Sequence, residues 1–262
     1  MRTRTRNLHR SQLGFSLIEL LTVLVVLTLV MGAVFQQMIQ VQQRYQVEQT
    51  KLDMFQESRE FMDQMSRDLH QTGYPNSKMY NNLTLVPPIK NDPRNAVGLV
   101  QVTPTSIILE GDVDGDGVVE SVRYTLISDP ANPGNCPCWV QRSQVAKGNA
   151  DPLTGQGTNP SNQVQNVINS NGAMTIVGQI TLPSGVVTNQ ALYGLYAPNP
   201  VFQAFDKAGN VVGLPIDVVT NPAGITSIKS IRVTLNVLGT QPDMRTHMRP
   251  ATTLTTSVRI QN

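Results

Sequence analysis

The sequence predicts an α+β fold, in which a long N-terminal helix packs on an antiparallel β-sheet. An almost unbroken apolar run starts at Phe15, a helical pattern continues from it to Gly73, and from Asn76 the pattern becomes that of short strands. A helix followed by successive strands is typical of α+β domains. The predicted divisions are a leader at 1–14, an apolar helix at 15–35, its amphipathic continuation at 36–73, and a β-rich globular head at 74–262 with a long loop at 128–162.

Residues 1–14 form a basic leader, and the positive-inside bias is expected to hold them in the cytoplasm. The following apolar segment is 21 residues long, close to the ~20 that a helix needs to cross a bilayer. Glu19 is the only carboxylate between Phe15 and Leu29. A charge in a membrane-length helix is costly, which indicates a functional role. The alternative is a carboxylate that merely reaches the membrane interface.

The six residues Gly14-Phe15-Ser16-Leu17-Ile18-Glu19, with the basic leader before them, resemble the class III signal of type IV pilins and type II secretion pseudopilins. The resemblance implies that a prepilin peptidase cleaves between Gly14 and Phe15 and methylates the new N-terminus at Phe15. It also implies that Glu19 pairs with the N-terminal amine of a neighbouring subunit during assembly. An ordinary signal anchor is the alternative, but an anchor has no physical need for Glu19.

The same resemblance implies where the protein acts and what it contacts. It implies a single-pass inner-membrane protein with its leader in the cytoplasm and its head in the periplasm, which later enters an extracellular filament. The implied partners are the prepilin peptidase, other major and minor pilins or pseudopilins through helix packing, and the inner-membrane assembly platform. The implied shape is the pilin lollipop, a long helix with a globular head.

Within this family the chain resembles the PilW-type minor pilins in its length, in the helix segment Glu57–Met62 and in a D-x-D-x-D-G element. That resemblance implies a role in pilus assembly or priming, or at the pilus tip. The J-type minor pseudopilin of type II secretion has a similar layout and stays an alternative. A pilus-displayed adhesin that binds through the 128–162 loop is a second alternative.

The second part of the helix carries apolar residues at spacings of three, four or seven, which predicts one buried helical face. These residues are Met38, Val41, Tyr45, Leu52, Phe55, Met62, Met65 and Leu69. Gly73 and Pro75 are expected to end the helix. Short β-branched segments then predict strands at Gly98–Thr103, Ser106–Glu110, Val118–Ile127, Ala173–Leu182, Val201–Phe205, Ile228–Leu238 and Thr252–Ile260.

An acidic loop between two predicted strands resembles the first half of a calcium-binding loop. Its expected ligands are the side chains of Asp112, Asp114 and Asp116, the carbonyl of Val118, and Glu120. The twelfth position is Arg123 instead of a bidentate Glu, and strands flank the loop, so an EF-hand is not predicted. The alternative is a solvated hairpin turn, because Asp-Gly pairs favour hairpins by themselves.

The only two cysteines, Cys136 and Cys138, flank a proline. A local disulfide is expected if the head is extracytoplasmic, while free thiols and redox chemistry are the alternatives. The spacing does not predict a zinc site, because no second cysteine cluster is present.

Composition and motifs argue against an enzyme and against nucleic-acid binding. The net charge is +2 and no basic patch with interleaved aromatics is present. The sequence contains no HExxH, P-loop or GxSxG motif. We therefore predict no catalytic or cofactor-binding residues and no required cofactor, with calcium as the one candidate ligand. Removal of the 14-residue leader from 262 residues would leave 248, enough for one long helix and one substantial head.

Overall fold

The structure is a computed structural model that describes residues 16–81, 84–85, 87–128, 130, 135–154, 160–169, 175–176, 179–182, 185–188, 199–240, 242 and 249–260. The chain forms two compact units, one up to Gln46 and one from Val47 onward. A long N-terminal helix is followed by a large antiparallel β-sheet. The predicted α+β, pilin-like architecture is therefore confirmed.

Helix α1 runs from Leu17 to Gln71 without interruption. It ends two residues before Gly73, which has a φ of 83°, and the Tyr74–Pro75 peptide bond shortly after it is cis. The predicted stop at Gly73 and Pro75 therefore agrees with the structure to within two residues.

The buried face of α1 differs from the predicted one in the first part of the helix. Met62, Met65 and Leu69 are buried as predicted, but Leu52 is 69% exposed and Phe55 46% exposed. At 100° per residue, Leu52 lies about 140° around the helix from Met65. The buried positions all lie within about 60° of Met65, and they are Val47, Met54, Ser58, Phe61, Met62, Met65, Asp68 and Leu69. The predicted set therefore combines two faces of the helix, because Val41, Tyr45 and Leu52, all exposed, lie about 120–160° around the helix from Met65.

In the described residues, the head contains one ten-stranded sheet with the order β11-β10-β13-β6-β5-β3-β2-β1-β12, and β14 pairs with β13 beside this path. The strand bounds are β1 Leu99–Val102, β2 Ser106–Gly111, β3 Glu120–Ser128, β5 Cys138–Ala146, β6 Pro160–Val167, β10 Phe202–Phe205, β11 Val211–Val212, β12 Ile216–Asp217, β13 Ser230–Leu238 and β14 Ala251–Arg259. Two small sheets stand apart, one of β4 Asn135–Cys136 with β7 Thr175–Ile176, and one of β8 Gln179–Leu182 with β9 Gly185–Thr188. A short helix, α2, spans Pro222–Ser227 and contacts β12 and β1.

The prediction of one long loop at 128–162 is wrong for much of that range. Strand β5 lies inside it and pairs with β3 over nine residues, from Glu120 opposite Ala146 to Ser128 opposite Cys138. Gln141, Arg142 and Gln144 are half-buried and Ser143 is buried, so the hydrophobic alternation that marks a strand is weak. Because Pro- and Gly-rich segments lie on either side of this strand, the sequence pattern of the whole range indicates a loop.

One hydrophobic core joins the C-terminal part of α1 to the sheet. Phe61, Met65 and Leu69 of α1 are at most 2% exposed, and the Phe61 ring packs edge-on against Tyr124 of β3 with centroids 5.7 Å apart. Burial of each such side chain contributes at most about 1.5–3 kcal/mol. The helix from Val47 to Gln71 is therefore part of the head and not an appendage to it.

Candidate functional site

The N-terminal end of α1 carries the carboxylate that the sequence singles out. Glu19 lies in the first turn of the helix, and its Oε2 accepts a hydrogen bond of 3.1 Å from the backbone N–H of Ser16. This contact is half of a capping box, and it places a negative charge at the positive end of the helix dipole. Gly14 and Phe15 lie outside the described residues, so cleavage and methylation there stay predictions.

The apolar part of α1 presents its side chains outward. This helix is long and apolar enough to cross a membrane, and its apolar stretch is not buried against any other described part of the chain. The exposed side chains include Leu17, Leu24 and Phe35. An apolar surface of this length is stable only in lipid or against other apolar helices, which indicates a membrane anchor.

The acidic loop connects β2 to β3 and is attached to the end of α1. The N–H of Gly73 donates to the Glu110 carbonyl at 2.9 Å, and the N–H of Asp112 donates to the Tyr74 carbonyl at 2.8 Å. A Cβ on Gly111 would lie 2.5 Å from the Gln71 carbonyl oxygen. Only glycine permits this close approach, so the loop has a defined position beside the helix end.

Three aspartates converge within this loop. One carboxylate oxygen from each of Asp112, Asp114 and Asp116 lies within 4.8 Å of the others. Asp112 is buried, and its two oxygens accept from the N–H groups of Gly115 at 2.7 Å and Gly117 at 3.1 Å. Both glycines have positive φ values, 81° and 88°, which other residues rarely adopt. The loop backbone is therefore folded around the Asp112 carboxylate.

Glu120 and Val118 stand at the β3 end of the loop. The buried Glu120 carboxylate accepts from the N–H of Val113 at 3.0 Å, and the N–H of Val118 donates to Asp116 at 2.8 Å. Burial raises the pKa of Glu120, and the neighbouring aspartates, Asp114 first, add to the rise. A bound cation would relieve this repulsion. The loop is a hairpin connection between antiparallel strands, and its three convergent carboxylates also fit a hard cation such as calcium.

In the structure, Cys136 and Cys138 are joined by a disulfide, and their Cα atoms are 4.4 Å apart. Both residues are completely buried. The disulfide lies where β4 passes into β5, so it closes a short loop inside the hydrophobic core.

Comparison with known proteins returns a match at the N-terminus of the chain. Residues 9–35 match the family model of the prokaryotic N-terminal methylation motif. The match, with the long apolar helix behind it, fits a type IV pilin with a class III signal. The matched segment contains Gly14, Phe15 and Glu19. The comparison with curated proteins and the comparison with solved structures gave no match.

Behind this pilin-type N-terminus, the head contains a buried charge cluster that sequence reasoning missed. Asp68 of α1 is fully buried, and its Oδ2 accepts hydrogen bonds from the Tyr124 hydroxyl at 2.5 Å and from Arg142 Nε at 2.8 Å. Its Oδ1 accepts from Gln64 at 3.0 Å. Burial, followed by the negative charge of Asp68, raises the pKa of Tyr124 strongly, so that the hydroxyl stays a donor. One signal was available in the sequence: Asp68 interrupts an apolar helix face between Met65 and Leu69.

A second buried pair fixes the segment that precedes β1. Lys147 Nζ donates to Glu110 Oε2 at 2.7 Å, to the Lys90 carbonyl at 2.8 Å and to the Asn95 carbonyl at 2.6 Å. The second Glu110 oxygen, Oε1, is buried and has no hydrogen-bond partner among the described residues. Burial raises the pKa of Glu110 although the Lys147 ammonium opposes the rise. Nothing in the sequence links Glu110 to Lys147, which lie 37 positions apart.

Proposed function

We propose that this chain is a minor type IV pilin that is processed by a prepilin peptidase and contributes to pilus assembly or priming, or to the pilus tip. The methylation motif at residues 9–35 carries the proposal. The uninterrupted helix and the antiparallel head support it, because a pilin needs a membrane anchor before assembly and a folded domain to display afterwards. The proposed role is structural and not enzymatic.

In this role Glu19 acts as a docking charge. Its carboxylate lies in the first turn of α1, four residues after the proposed new N-terminus at Phe15. An amine at that end of a neighbouring subunit would find the carboxylate within an apolar surrounding, where two opposite charges attract strongly. An unpaired charge there is expensive, so the pairing would select one axial register among the many that apolar helices permit.

The minor-pilin proposal rests on chain length and on two sequence elements. The proposed mature chain of 248 residues and the resemblance to PilW-type proteins at Glu57–Met62 and at the D-x-D-x-D-G element favour a low-copy subunit. In the structure, the first of these segments contributes Ser58, Phe61 and Met62 to the buried face of α1, and the second forms the loop that is hydrogen-bonded to the residues after the end of α1. We propose that the loop holds calcium through Asp112, Asp114 and Asp116, which would stiffen the junction between α1 and the sheet.

The first test is the mass of the N-terminal peptide of the membrane-extracted protein, with and without an active prepilin peptidase. We expect a peptide that starts at Phe15 with one added methyl group, and we expect it to disappear without the peptidase. An intact Met1 in both samples would overturn the proposal. If deletion of the gene abolishes surface pili, the result would support the minor-pilin role. A secretion defect with normal pili would instead identify a J-type pseudopilin.

A further inference from the structure

The loop between β2 and β3 contains both Asp-Gly links of the chain, Asp114-Gly115 and Asp116-Gly117. Such a link is prone to rearrange, because no Cβ shields the glycine nitrogen from the aspartate side chain. The nitrogen bonds to the aspartate Cγ, its proton and the carboxyl hydroxyl leave as one water, and a succinimide forms. Water then opens this ring. Opening at the main-chain carbonyl leaves an isoaspartate, whose backbone runs through Cβ.

The backbone of the loop requires glycine at both links. Gly115 has a φ of 81° and Gly117 a φ of 88°, and residues with a Cβ rarely adopt this conformation. A bulkier residue at either position would slow the attack on Cγ, but it would strain the turn. Protection of the two links therefore has to come from another group.

The carboxylate of Asp112 holds the two nitrogens that would attack. Its Oδ1 accepts from the N–H of Gly115 at 2.7 Å, and its Oδ2 accepts from the N–H of Gly117 at 3.1 Å. Asp112 is only 8% exposed. The attacking species is the deprotonated amide, and a negative charge beside the nitrogen disfavours this anion. One carboxylate thus occupies both N–H groups and opposes the loss of their protons.

The carboxylates that would be attacked are also held. Asp114 Oδ1 accepts from the N–H of Asp116 at 3.2 Å, and Asp116 Oδ1 accepts from the N–H of Val118 at 2.8 Å. Each carboxylate is therefore bonded to the N–H two residues ahead instead of lying against the glycine nitrogen next to it. Ring closure at either link requires the hydrogen bonds of both reacting groups to open.

The position of Asp112 depends on the folded head. Its N–H donates to the Tyr74 carbonyl at 2.8 Å, and the preceding residue, Gly111, lies so close to the Gln71 carbonyl that it has no room for a Cβ. Contacts with the end of α1 therefore place the carboxylate that holds the two glycines. An unfolded chain of the same sequence lacks this arrangement.

We propose that Asp112 suppresses succinimide formation at both links, and that Asp114 and Asp116 become sites of isoaspartate modification when its hydrogen bonds open. An isoaspartate adds one atom to the backbone. It would move the following glycine away from Asp112 and disrupt the loop that contacts the end of α1. This inference depends neither on calcium nor on the role in a pilus.

The test compares the full chain in detergent, incubated at neutral pH with a chelator, with a synthetic peptide of residues 95–123. Trypsin releases the same peptide from the chain, since no Lys or Arg lies between Arg94 and Arg123. Electron-transfer fragmentation locates each isoaspartate, and the succinimide is lighter by one water. We expect each link to convert at least about tenfold more slowly in the folded chain, because a hydrogen bond to a charged group has to open first.

Two variants identify Asp112 as the protecting group. Asp112→Asn keeps one acceptor oxygen and replaces the other by a donor, so the link whose N–H is released should convert about tenfold faster than in wild type. Asp112→Ala should accelerate both links. The matched control is Glu120→Gln, which removes a negative charge from the same loop and keeps an acceptor for the Val113 N–H. It should convert at the wild-type rate, and cooperative thermal unfolding checks that each variant is folded.

Three results would overturn the proposal. The folded wild type could convert as fast as the peptide, or Asp112→Asn could leave both links at the wild-type rate. Acceleration by Glu120→Gln equal to that by Asp112→Asn would assign the protection to the charge of the loop instead of the two hydrogen bonds. Because calcium is absent throughout, these results are separate from the fate of the calcium proposal.

Discussion

Asp68 of α1 and Arg142 of β5 form an ion pair of 2.8 Å across 74 positions of the sequence. The carboxylate side chain is 1% exposed and the guanidinium side chain 13% exposed. The guanidinium also lies over the Tyr124 ring, 5.8 Å from its centroid. This contact ties the helix to the middle of the sheet, so the register of α1 on the head depends on it.

Replacement of Asp68 by Asn should destabilise the head markedly. The variant leaves the Arg142 charge buried without its partner, and breaking a buried pair in this way costs about 3–5 kcal/mol. Urea unfolding, followed by tryptophan fluorescence, measures the change. Asp63→Asn, an exposed carboxylate on the same helix, is the control and should stay within about 0.5 kcal/mol of wild type. Equal stability of the two variants would contradict the structural role of the pair.

Removal of the Lys147 charge alone should lower the unfolding free energy, whereas removal of both Lys147 and Glu110 charges should change it little. Lys147→Met leaves the buried Glu110 carboxylate unpaired, with an expected loss of about 3–5 kcal/mol. In the double variant Lys147→Met/Glu110→Leu no buried charge is left, and apolar replacement of such a pair is often close to neutral. Unfolding free energies of both variants test this difference. If the double variant is as unstable as the single one, the larger contribution comes from the hydrogen bonds of Lys147 to the Lys90 and Asn95 carbonyls and of the Val97 N–H to Glu110.

The raised pKa of Glu110 predicts a pH dependence of stability. Its pKa is higher in the folded protein than the ordinary value of about 4.3. Between these two values the folded state binds more protons than the unfolded state, so the unfolding free energy falls as pH rises through that window. Relative to Glu110→Gln, which does not titrate, the wild-type stability should therefore decline from about pH 4 upward. If the difference in unfolding free energy between the two proteins is constant with pH, burial does not shift the pKa of Glu110.

Features set by neighbouring residues could be predicted from the sequence, whereas contacts between residues far apart in the sequence could not. Helix α1 and most strands were predicted because their patterns are local, and the three aspartates were found because they lie within five residues. The pairs Asp68–Arg142 and Glu110–Lys147 were missed because only the tertiary topology brings their partners together. The face of α1 was misassigned at Leu52 and Phe55, since small residues such as Ser58 complete the buried face and carry no hydrophobic signal.

Calcium should raise the melting temperature of the wild-type protein. A ligand that binds only the folded state at a concentration of 100 times its Kd stabilises that state by about 2.7 kcal/mol. The double variant Asp114→Ala/Asp116→Ala should lose this response, because it removes two of the three convergent carboxylates. Asp63→Ala is the matched control and should keep it. Scanning calorimetry in calcium, in magnesium and with a chelator checks the prediction, and a wild-type melting temperature that calcium leaves unchanged would eliminate the calcium site.

Replacement of Glu19 by Gln should separate processing from assembly. The variant keeps the apolar helix and an acceptor for the Ser16 N–H, so membrane insertion and cleavage after Gly14 should continue. It loses the negative charge that would pair with a neighbouring N-terminal amine, and its amount in sheared filaments should fall at least about tenfold. Thr28→Ala is the control, because the Thr28 hydroxyl bonds to carbonyls of its own helix, at 2.8 Å to Val25 and 3.0 Å to Leu24, and its loss should leave assembly unchanged. Immunoblots of filament and membrane fractions, with the N-terminal peptide mass determined in parallel, measure both steps. Normal amounts of Glu19→Gln in filaments would show that Glu19 caps the N-terminus of the helix and does not take part in subunit docking.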